Sequence, residues 1–193
     1  MLKRKIDKYL EEWKASVDKK PLIVKGARQV GKTASIRYFG EKYYNNIVEI
    51  NFALQPKYKQ IFADGYEVDS IIKNITLLNP SLVVVPHETL LFFDELQEYP
   101  DCATSLKSFK QDGRYDVICS GSLMGLYYQQ IESNSVGYKT DYEMYSLDFE
   151  EFLWAKGYDE HFIDDLYQHM VDIKPLSNMQ MDVLGELFND YMI

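Results

Sequence analysis

A cation and a hydroxyl stand side by side at the end of an eight-residue segment, Gly26 to Thr33, which reads GARQVGKT. The segment matches the pattern G-x-x-x-x-G-K-[ST], in which a loop backbone wraps a chain of phosphates. Gly26 and Gly31 let backbone N–H groups approach an anion without Cβ clashes. Lys32 places a cation on the β- and γ-phosphates, and Thr33 offers a hydroxyl to Mg²⁺. The pattern therefore predicts a site for a nucleoside triphosphate.

The interior of this loop is expected to bind the nucleotide through its backbone. Its residues are Ala27, Arg28, Gln29 and Val30. The side chains of Arg28 and Gln29 can face either solvent or the triphosphate. An ordinary glycine turn is the alternative interpretation. The context disfavours it, because the loop follows an apolar run, Leu22 to Val24, and precedes a predicted helix whose N-terminus would face the anion.

Two carboxylates follow a second apolar run, the segment TLLFFDE from Thr89 to Glu95. Its apolar residues predict a buried strand that brings Asp94 to Mg²⁺ through water, because Mg²⁺ keeps most of its hydration shell. Glu95 comes directly afterwards and could orient or deprotonate an attacking water. Since adjacent strand residues point to opposite faces, we expect the two carboxylates to have different tasks. The alternative is that both simply meet solvent at a strand end.

A further hydroxyl comes from the triplet Ser120-Gly121-Ser122, which follows the apolar run Tyr115 to Cys119. The strand formed by this run is expected to lie beside the strand that ends in Asp94. A hydroxyl at its end could then hold the water near the γ-phosphate. Ser120 is the better candidate, since it directly ends the run. A plain Ser/Gly turn explains the triplet equally well.

Apolar strands alternate with helical segments along the chain. Strands are expected at Leu22–Val24, Ile47–Phe52, Thr89–Glu95, Tyr115–Cys119 and Tyr142–Leu147, and helices over 2–15, 32–42, 55–80 in pieces, 102–111 and 149–156. The first helix has one apolar face, formed by Leu2, Ile6, Leu10 and Trp13. Such an alternation predicts an α/β fold with a mainly parallel central sheet flanked by helices.

Length and charge narrow the functional classes. The chain has 193 residues, 46% of them hydrophobic, and a formal net charge of −9, which suits one domain with a sizeable core. Residues 1–32 hold ten Lys and Arg against four Asp and Glu, whereas residues 141–193 hold two against thirteen. The acidic end is a poor surface for a phosphate backbone, so a mainly electrostatic nucleic-acid binder is disfavoured.

The number of cysteines and the hydropathy of the chain indicate the cellular compartment in which the protein is expected. Cys102 and Cys119 are too few for a disulfide framework and have no zinc-ligand spacing, and Cys119 is expected to be buried. The N-terminus lacks the uninterrupted apolar core of a secretory signal. No window approaches the 18 or so consecutive apolar residues that a membrane helix needs. We therefore expect a cytoplasmic protein without a membrane segment.

Several segments together resemble the AAA-type ATP-binding proteins of bacteria and archaea. They are KGARQVGKT (25–33), LFFDELQEYP (91–100), SLKSFKQD followed by YDVICSGSLMG (115–125), and YSLDFEEFLWAKG (145–157). The resemblance implies a three-layer AAA+ P-loop NTPase fold that uses ATP and Mg²⁺. It also implies Lys32 and Thr33 at the phosphates and the metal. Asp94 and Glu95 are implied as the Walker B pair, and Ser120 as the sensor-1 residue.

The same resemblance suggests an organisation for the chain and one departure from the family pattern. It implies an ATPase core over 20–157 and, over 158–193, the helical start of a following, truncated region; the amphipathic helix predicted from apolar spacing then forms an N-terminal segment over 1–19. Family members commonly carry Gly-Arg before the fifth strand, an arginine that could reach a neighbouring subunit's γ-phosphate. Here Tyr138 replaces that arginine; the adjacent Lys139 could substitute for it, but an ammonium lacks the bidentate fork of a guanidinium.

Two functions are compatible with these features. The first is Mg²⁺-dependent hydrolysis of ATP that drives an unknown partner or a conformational change, with self-association through the AAA+ domain. The second is a nucleotide-gated binding module with negligible turnover that contacts protein or DNA. A P-loop kinase is disfavoured, because only Arg37 and Arg114 lie beyond the loop to form an arginine-rich lid.

Overall fold

Strands and helices alternate along the described part of the chain, which in this computed structural model comprises residues 2–122 and 126–192. The strands are β1 (Leu22–Lys25), β2 (Asn46–Asn51), β3 (Thr89–Asp94), β4 (Asp116–Gly121) and β5 (Thr140–Glu143). The α-helices are α1 (Lys5–Ala15), α2 (Lys32–Tyr43), α3 (Val68–Leu78), α4 (Ser105–Asp112), α5 (Leu126–Ser135), α6 (Phe149–Ala155), α7 (Glu160–Val171) and α8 (Asn178–Met192). Leu123, Met124 and Gly125, which end the YDVICSGSLMG motif, lie outside the described residues.

The strands form one parallel sheet in the order β2-β3-β4-β1-β5. β4 therefore lies between β1 and β3, and the predicted neighbourhood of β3 and β4 is confirmed. Within β4, Ser120 pairs with Val24 of β1, while Cys119 pairs with Phe93 of β3. Because parallel strands end at the same edge of a sheet, the residues that follow β1, β3 and β4 meet there.

Helices cover both faces of this sheet, since alternate strand residues face opposite sides. On one face, Leu91 and Phe93 of β3 belong to a buried cluster with residues of α3 and α4, and Cys119 is buried there as expected. On the opposite face, Gly40 of α2 lies so close to β3 that an added Cβ would come within 3.1 Å of the Leu90 side chain. The predicted three-layer α/β architecture is confirmed.

Some element boundaries differ from the expectations. α1 begins at Lys5 rather than Leu2, because the Asp7 carboxylate accepts the backbone N–H of Arg4 at 2.9 Å, and Leu2 remains exposed. The helix expected over 102–111 is a 3₁₀ helix, Pro100–Thr104, followed directly by α4.

The fifth strand begins two residues before the expected Tyr142–Leu147 and ends four residues before it. β5 is fixed by pairing with β1: the Thr140 N–H donates to Pro21 O at 2.9 Å, and the Met144 N–H donates to Lys25 O at 2.7 Å. Its sequence, TDYE, lacks an apolar run. An edge strand of this kind carries little hydropathy signal.

The chain divides into two compact units, each described here by itself. The larger, Tyr9–Ser146, contains the whole sheet, and the smaller combines Met1–Lys8 with Leu147–Ile193. In the smaller unit, Asp148 and Glu151 form a capping box at the start of α6. An aromatic cluster joins α6 to α8; its members are Phe149, Phe152, Phe188 and Tyr191.

Candidate functional site

The loop between β1 and α2 leaves the carboxyl edge of the sheet, and its shape depends on its glycines. Gly26 has φ +154°, and a Cβ added there would lie 2.1 Å from the carbonyl oxygen of Met144. Gly31, with φ +100°, caps α2 without a side-chain hydrogen bond. The first backbone N–H groups of a helix have no partner within it, so the loop presents donors that can bind an anion.

The remaining loop residues differ in exposure. Ala27, Arg28 and Gln29 are exposed, and Gln29 has a left-handed backbone with φ +64°. Val30 is buried and anchors the loop. The exposed Arg28 side chain is thus open to solvent, one of the two orientations expected from the sequence.

Lys32 begins α2 and turns its ammonium back into the loop. The Nζ donates to the carbonyl oxygens of Gly26 at 3.0 Å and Ala27 at 2.6 Å, and the residue is only 9% exposed. Burial lowers the pKa of Lys32, while the charges of Glu95 and Asp94 partly oppose that shift. A cation held against carbonyl oxygens in this way can transfer its hydrogen bonds to phosphate oxygens.

Asp94 ends β3 and is the most connected side chain of the site, at 3% exposure. Its Oδ2 accepts from Thr33 Oγ1 at 3.2 Å and from Asn51 Nδ2 at 3.0 Å. Its Oδ1 accepts from the Ser120 hydroxyl and from the backbone N–H of Glu95 at 3.0 Å. Thr33, Asn51 and Ser120, from three other parts of the chain, therefore converge on this carboxylate. Thr33 and Ser120, like Asp94 itself, were expected from the sequence.

Glu95 lies outside β3, and here the expectation was wrong. Its backbone is left-handed, with φ +57° and ψ +49°, and it begins the 3₁₀ helix Leu96–Glu98. The side chains of Asp94 and Glu95 are therefore directed apart by a backbone turn, and not by the alternation of side chains along a strand. Gln97 Nε2 donates to Glu95 Oε2, and Gln97 Oε1 accepts the N–H of Ser122 at 3.2 Å. Gln97 thus ties the half-buried Glu95 to the end of β4.

Two residues of this site escaped the sequence analysis. Asn51 ends β2, and its Oδ1 accepts the N–H groups of Ala53 at 3.0 Å and Leu54 at 2.9 Å, which aims its Nδ2 at Asp94. Gln97 holds Glu95 as described above. A polar residue directly after an apolar strand was the available signal for Asn51, the same signal that pointed to Ser120.

The donor set fits a magnesium ion. Thr33 and Asp94 offer a hydroxyl and a carboxylate oxygen, both hard ligands, and Mg²⁺ is commonly bound by one or two such groups with water and phosphate completing the shell. Among the described residues, no group of three or more His, Cys, Asp or Glu side chains is arranged to hold a metal ion by itself. A metal at Thr33 and Asp94 would therefore need the ligand's own oxygens.

A tyrosine and a lysine, Tyr138 and Lys139, stand where an arginine finger was expected. The Lys139 side chain is 7% exposed, and its Nζ lies 2.5 Å from Asp141 Oδ2. Tyr138 lies beside Lys107, whose Nζ is 5.3 Å from the ring centre. A buried ammonium paired within its own chain cannot reach a neighbouring subunit without breaking that ion pair.

The parallel sheet, the glycine loop after β1 and the carboxylate after β3 define an α/β domain of the P-loop type. A family model described as an AAA domain matches residues 18–153. The chain belongs to this family of AAA domains. As an AAA domain it is an ATPase-type module.

Two solved structures are similar to this chain at low sequence identity. The structure of C. elegans PCH-2 matches with 12% identity and a TM-score of 0.48, covering 81% of this chain and 48% of that one. The structure of Drosophila ORC bound to DNA matches with 14% identity and a TM-score of 0.49, covering 77% and 44%. The chain thus spans less than half the length of these two structures. No curated protein sequence matches it.

In the ranges 2–122 and 126–192, no helix combines the length and the apolar character required to cross a bilayer.

Proposed function

We propose that this AAA domain binds ATP together with Mg²⁺ and hydrolyses it. The observation that carries the proposal is the contact between Thr33 Oγ1 and Asp94 Oδ2, 3.2 Å apart, at the foot of the glycine loop. A hydroxyl and a carboxylate placed next to a phosphate-binding loop suit a Mg²⁺ ion that also contacts the nucleotide. When bound there, Mg²⁺ would neutralise charge on the phosphate oxygens.

Lys32 and the loop backbone would bind the triphosphate. The Lys32 ammonium donates to two carbonyl oxygens of the loop. Phosphate oxygens carry a full negative charge and accept stronger hydrogen bonds than neutral carbonyls. Lys32 would therefore exchange its loop partners for the β- and γ-phosphates and stabilise the charge that develops during phosphoryl transfer.

Glu95 and Ser120 would act on the attacking water. Glu95 is half-buried beside Asp94 and interacts electrostatically with Lys32. Its carboxylate could accept a proton from the water or orient it. Ser120 donates to Asp94 from the neighbouring strand, so its hydroxyl is within the same hydrogen-bond network. This network supports Ser120 as a positioning residue.

Nucleotide binding and phosphate release by the 193-residue chain test this assignment. Lys32→Ala should abolish binding of MgATP, since the site loses its cation. Glu95→Gln should retain binding and lose turnover, since only the carboxylate can accept a proton. Glu98→Gln, a change to an exposed carboxylate three residues away, is the matched control and should do neither. Micromolar binding by Lys32→Ala, or unchanged turnover by Glu95→Gln, would contradict the respective role.

A second function, a nucleotide-gated switch with negligible turnover, is favoured by the surroundings of Glu95 and Lys139. Gln97 holds the Glu95 carboxylate, and Asp141 holds the Lys139 ammonium. A domain whose general base is held by a hydrogen bond, and whose lysine at the finger position is paired within its own chain, would bind ATP and hydrolyse it slowly. Phosphate release measured over a range of protein concentrations separates the two functions. Turnover per chain that rises with concentration indicates catalysis completed by self-association, whereas a rate near zero throughout indicates a switch.

A further inference from the structure

Arg28 lies on the glycine loop itself, and its guanidinium is not engaged in an ion pair. The residue is exposed, and within residues 2–122 and 126–192 no carboxylate lies at ion-pair distance from it. The other three arginines of the chain pair with carboxylates at 3.0, 2.6 and 2.6 Å; these pairs are Arg4 with Glu151, Arg37 with Glu49 and Arg114 with Asp112. Arg28 is therefore the arginine whose N–H donors remain available to a ligand.

The hydrogen bonds of Lys32 place Arg28 close to the expected phosphates. The Lys32 Nζ lies 2.6 Å from the carbonyl oxygen of Ala27, the residue that is bonded to Arg28. Standard peptide dimensions then place the backbone nitrogen of Arg28 within about 5 Å of that ammonium. An extended arginine side chain is longer than this distance. A phosphate group that binds Lys32 is therefore within reach of the Arg28 guanidinium.

The other charged side chains at the loop do not balance a bound triphosphate. Lys32 contributes one positive charge, and it interacts with the two negative charges of Glu95 and Asp94. A triphosphate with one Mg²⁺ would bring further net negative charge. Phosphoryl transfer is accelerated by positive groups at the phosphoryl oxygens. The site therefore gains from one more cation that can turn toward it.

Lys25 and Lys139 are poorly placed to be that cation. Both ammonium groups lie near the same oxygen, Asp141 Oδ2, at 3.8 and 2.5 Å. Lys139 also precedes β5, and the register of β5 with β1 pairs Thr140 with Leu22, the first residue of β1. Lys139 therefore lies toward the amino edge of the sheet, whereas the glycine loop leaves the carboxyl edge.

We infer that the Arg28 guanidinium turns onto the γ-phosphate of ATP held by its own loop and is a catalytic residue of the hydrolysis. The inference rests on the proposed function. In that step a water oxygen bonds to the γ-phosphorus and Glu95 takes one of the water protons. The bond from this phosphorus to the bridging oxygen breaks, and its electron pair leaves with ADP. Arg28 stays protonated and donates N–H groups to two γ-phosphoryl oxygens, whose charge it stabilises.

Affinities for MgATP and MgADP, measured by isothermal titration on the 193-residue chain, test this contact. Arg28→Ala should weaken MgATP binding about tenfold or more and MgADP binding less than about twofold, because ADP lacks the γ-phosphate. Arg28→Lys keeps the charge without the fork and should fall between Arg28→Ala and the parent. Equal weakening of both nucleotides by Arg28→Ala, or unchanged MgATP affinity, would overturn the inference.

Gln29→Asn is the matched control. Gln29 is the next residue along the loop and is also exposed, and asparagine tolerates its left-handed backbone, φ +64°. This variant should change neither affinity. A loss of MgATP affinity as large as that of Arg28→Ala would assign the effect to the shape of the loop and overturn the role of the guanidinium.

Phosphate release at saturating MgATP tests the catalytic part of the inference. Arg28→Ala should lower kcat about hundredfold or more, and an unchanged kcat would overturn the inference. Mixing Arg28→Ala with an excess of Lys32→Ala shows whose nucleotide the arginine serves, because Lys32→Ala lacks the phosphate-binding cation but keeps Arg28. We expect no recovery of turnover. Recovery would assign Arg28 to the nucleotide of a neighbouring copy and overturn the contact within one chain.

The affinities of the parent chain and of Glu95→Gln separate this inference from the proposed function. Glu95→Gln should keep the preference of the parent for MgATP over MgADP, because Arg28 is unchanged. A parent chain that binds no MgATP would contradict the proposed function, and the inference with it. A parent chain that binds MgATP and MgADP equally would contradict only the role of Arg28. This comparison needs no turnover, so it is decisive for a slow ATPase as well.

Discussion

The Thr33 hydroxyl lies 3.2 Å from a carboxylate oxygen of Asp94, although 61 positions separate the two residues in the sequence. Thr33 follows the loop after β1, and Asp94 ends β3, yet these strands are not neighbours. β4 lies between them and contributes Ser120 to the same carboxylate. The side chains proposed to hold the metal are therefore brought together by strand order, and each of them can be tested by itself.

Asp94→Asn should remove the dependence of ATP affinity on Mg²⁺. An amide is a poorer ligand for Mg²⁺ than a carboxylate, and its NH₂ group would face the donors of Asn51 and Thr33. That mismatch should also lower the free energy of unfolding by about 1–3 kcal/mol. Isothermal titration of ATP at increasing Mg²⁺ measures the first effect, with Glu98→Gln as the control. Affinity that still rises with Mg²⁺ in Asp94→Asn would show that the metal is held elsewhere.

Asn51→Asp should destabilise the chain in the absence of Mg²⁺ and respond more strongly than the parent to added Mg²⁺. The new carboxylate keeps the acceptor that fixes the Ala53 and Leu54 N–H groups, but it replaces a donor 3.0 Å from Asp94 with a like charge. A divalent cation between two carboxylates would relieve that repulsion. Thermal unfolding with and without Mg²⁺ measures the difference. Asn51→Ser, which adds no charge, should not gain this response.

Gly26→Ala should destabilise the chain by several kcal/mol and abolish nucleotide binding. Its Cβ would lie 2.1 Å from Met144 O, a backbone atom that cannot move without disturbing β5. Gly65→Ala is the control, because Gly65 also has positive φ, +103°, but has open space around it. It should cost only about 1 kcal/mol of backbone strain. Denaturant unfolding compares the two variants. Equal losses of unfolding free energy would mean that backbone strain alone, and not the contact with Met144, explains the need for glycine at position 26.

MgATP affinity should fall as the pH rises through the lowered pKa of Lys32. Burial favours the neutral amine in the free chain, whereas the triphosphate favours the ammonium. Binding therefore takes up a proton above the pKa of the free chain, and this proton uptake weakens affinity at high pH. Titrations between pH 7 and about 10 measure the trend. Lys32→Arg, which stays charged throughout, should remove this dependence if it binds; the same slope in that variant would assign it to another group.

Gly185→Ala should raise the free energy of unfolding of the smaller unit by about 0.5–1 kcal/mol. The glycine lies within α8, where alanine restricts the unfolded chain and favours the helix, and the added methyl group has open space. Gly113→Ala offers the same open space at φ +70°, a left-handed conformation, so it should destabilise instead. Urea unfolding distinguishes the signs. A loss of stability in Gly185→Ala would contradict the open space around this residue.

Local sequence signals were sufficient to predict the glycine loop, most of the strands and the position of Asp94 at a strand end. Each of these is encoded within a few residues, as a motif or as an apolar run with a polar end. Asn51 was not predicted, because its role depends on β2 lying beside β3, and pairing is not a local property. The left-handed backbone of Glu95 was missed for a related reason: it accompanies a contact with Gln97 in the following turn. Hydropathy cannot report either relationship.

β5 bears on how copies of this domain could meet. Among the described strands it stands at the end of the sheet next to β1, it has only four residues, and it ends in the exposed carboxylate of Glu143. A short strand with an exposed charge is a poor template for the strand of another molecule. Copies that assemble will therefore not extend one sheet into the next along β5, and rings or filaments of this domain would be built from contacts of helices and loops.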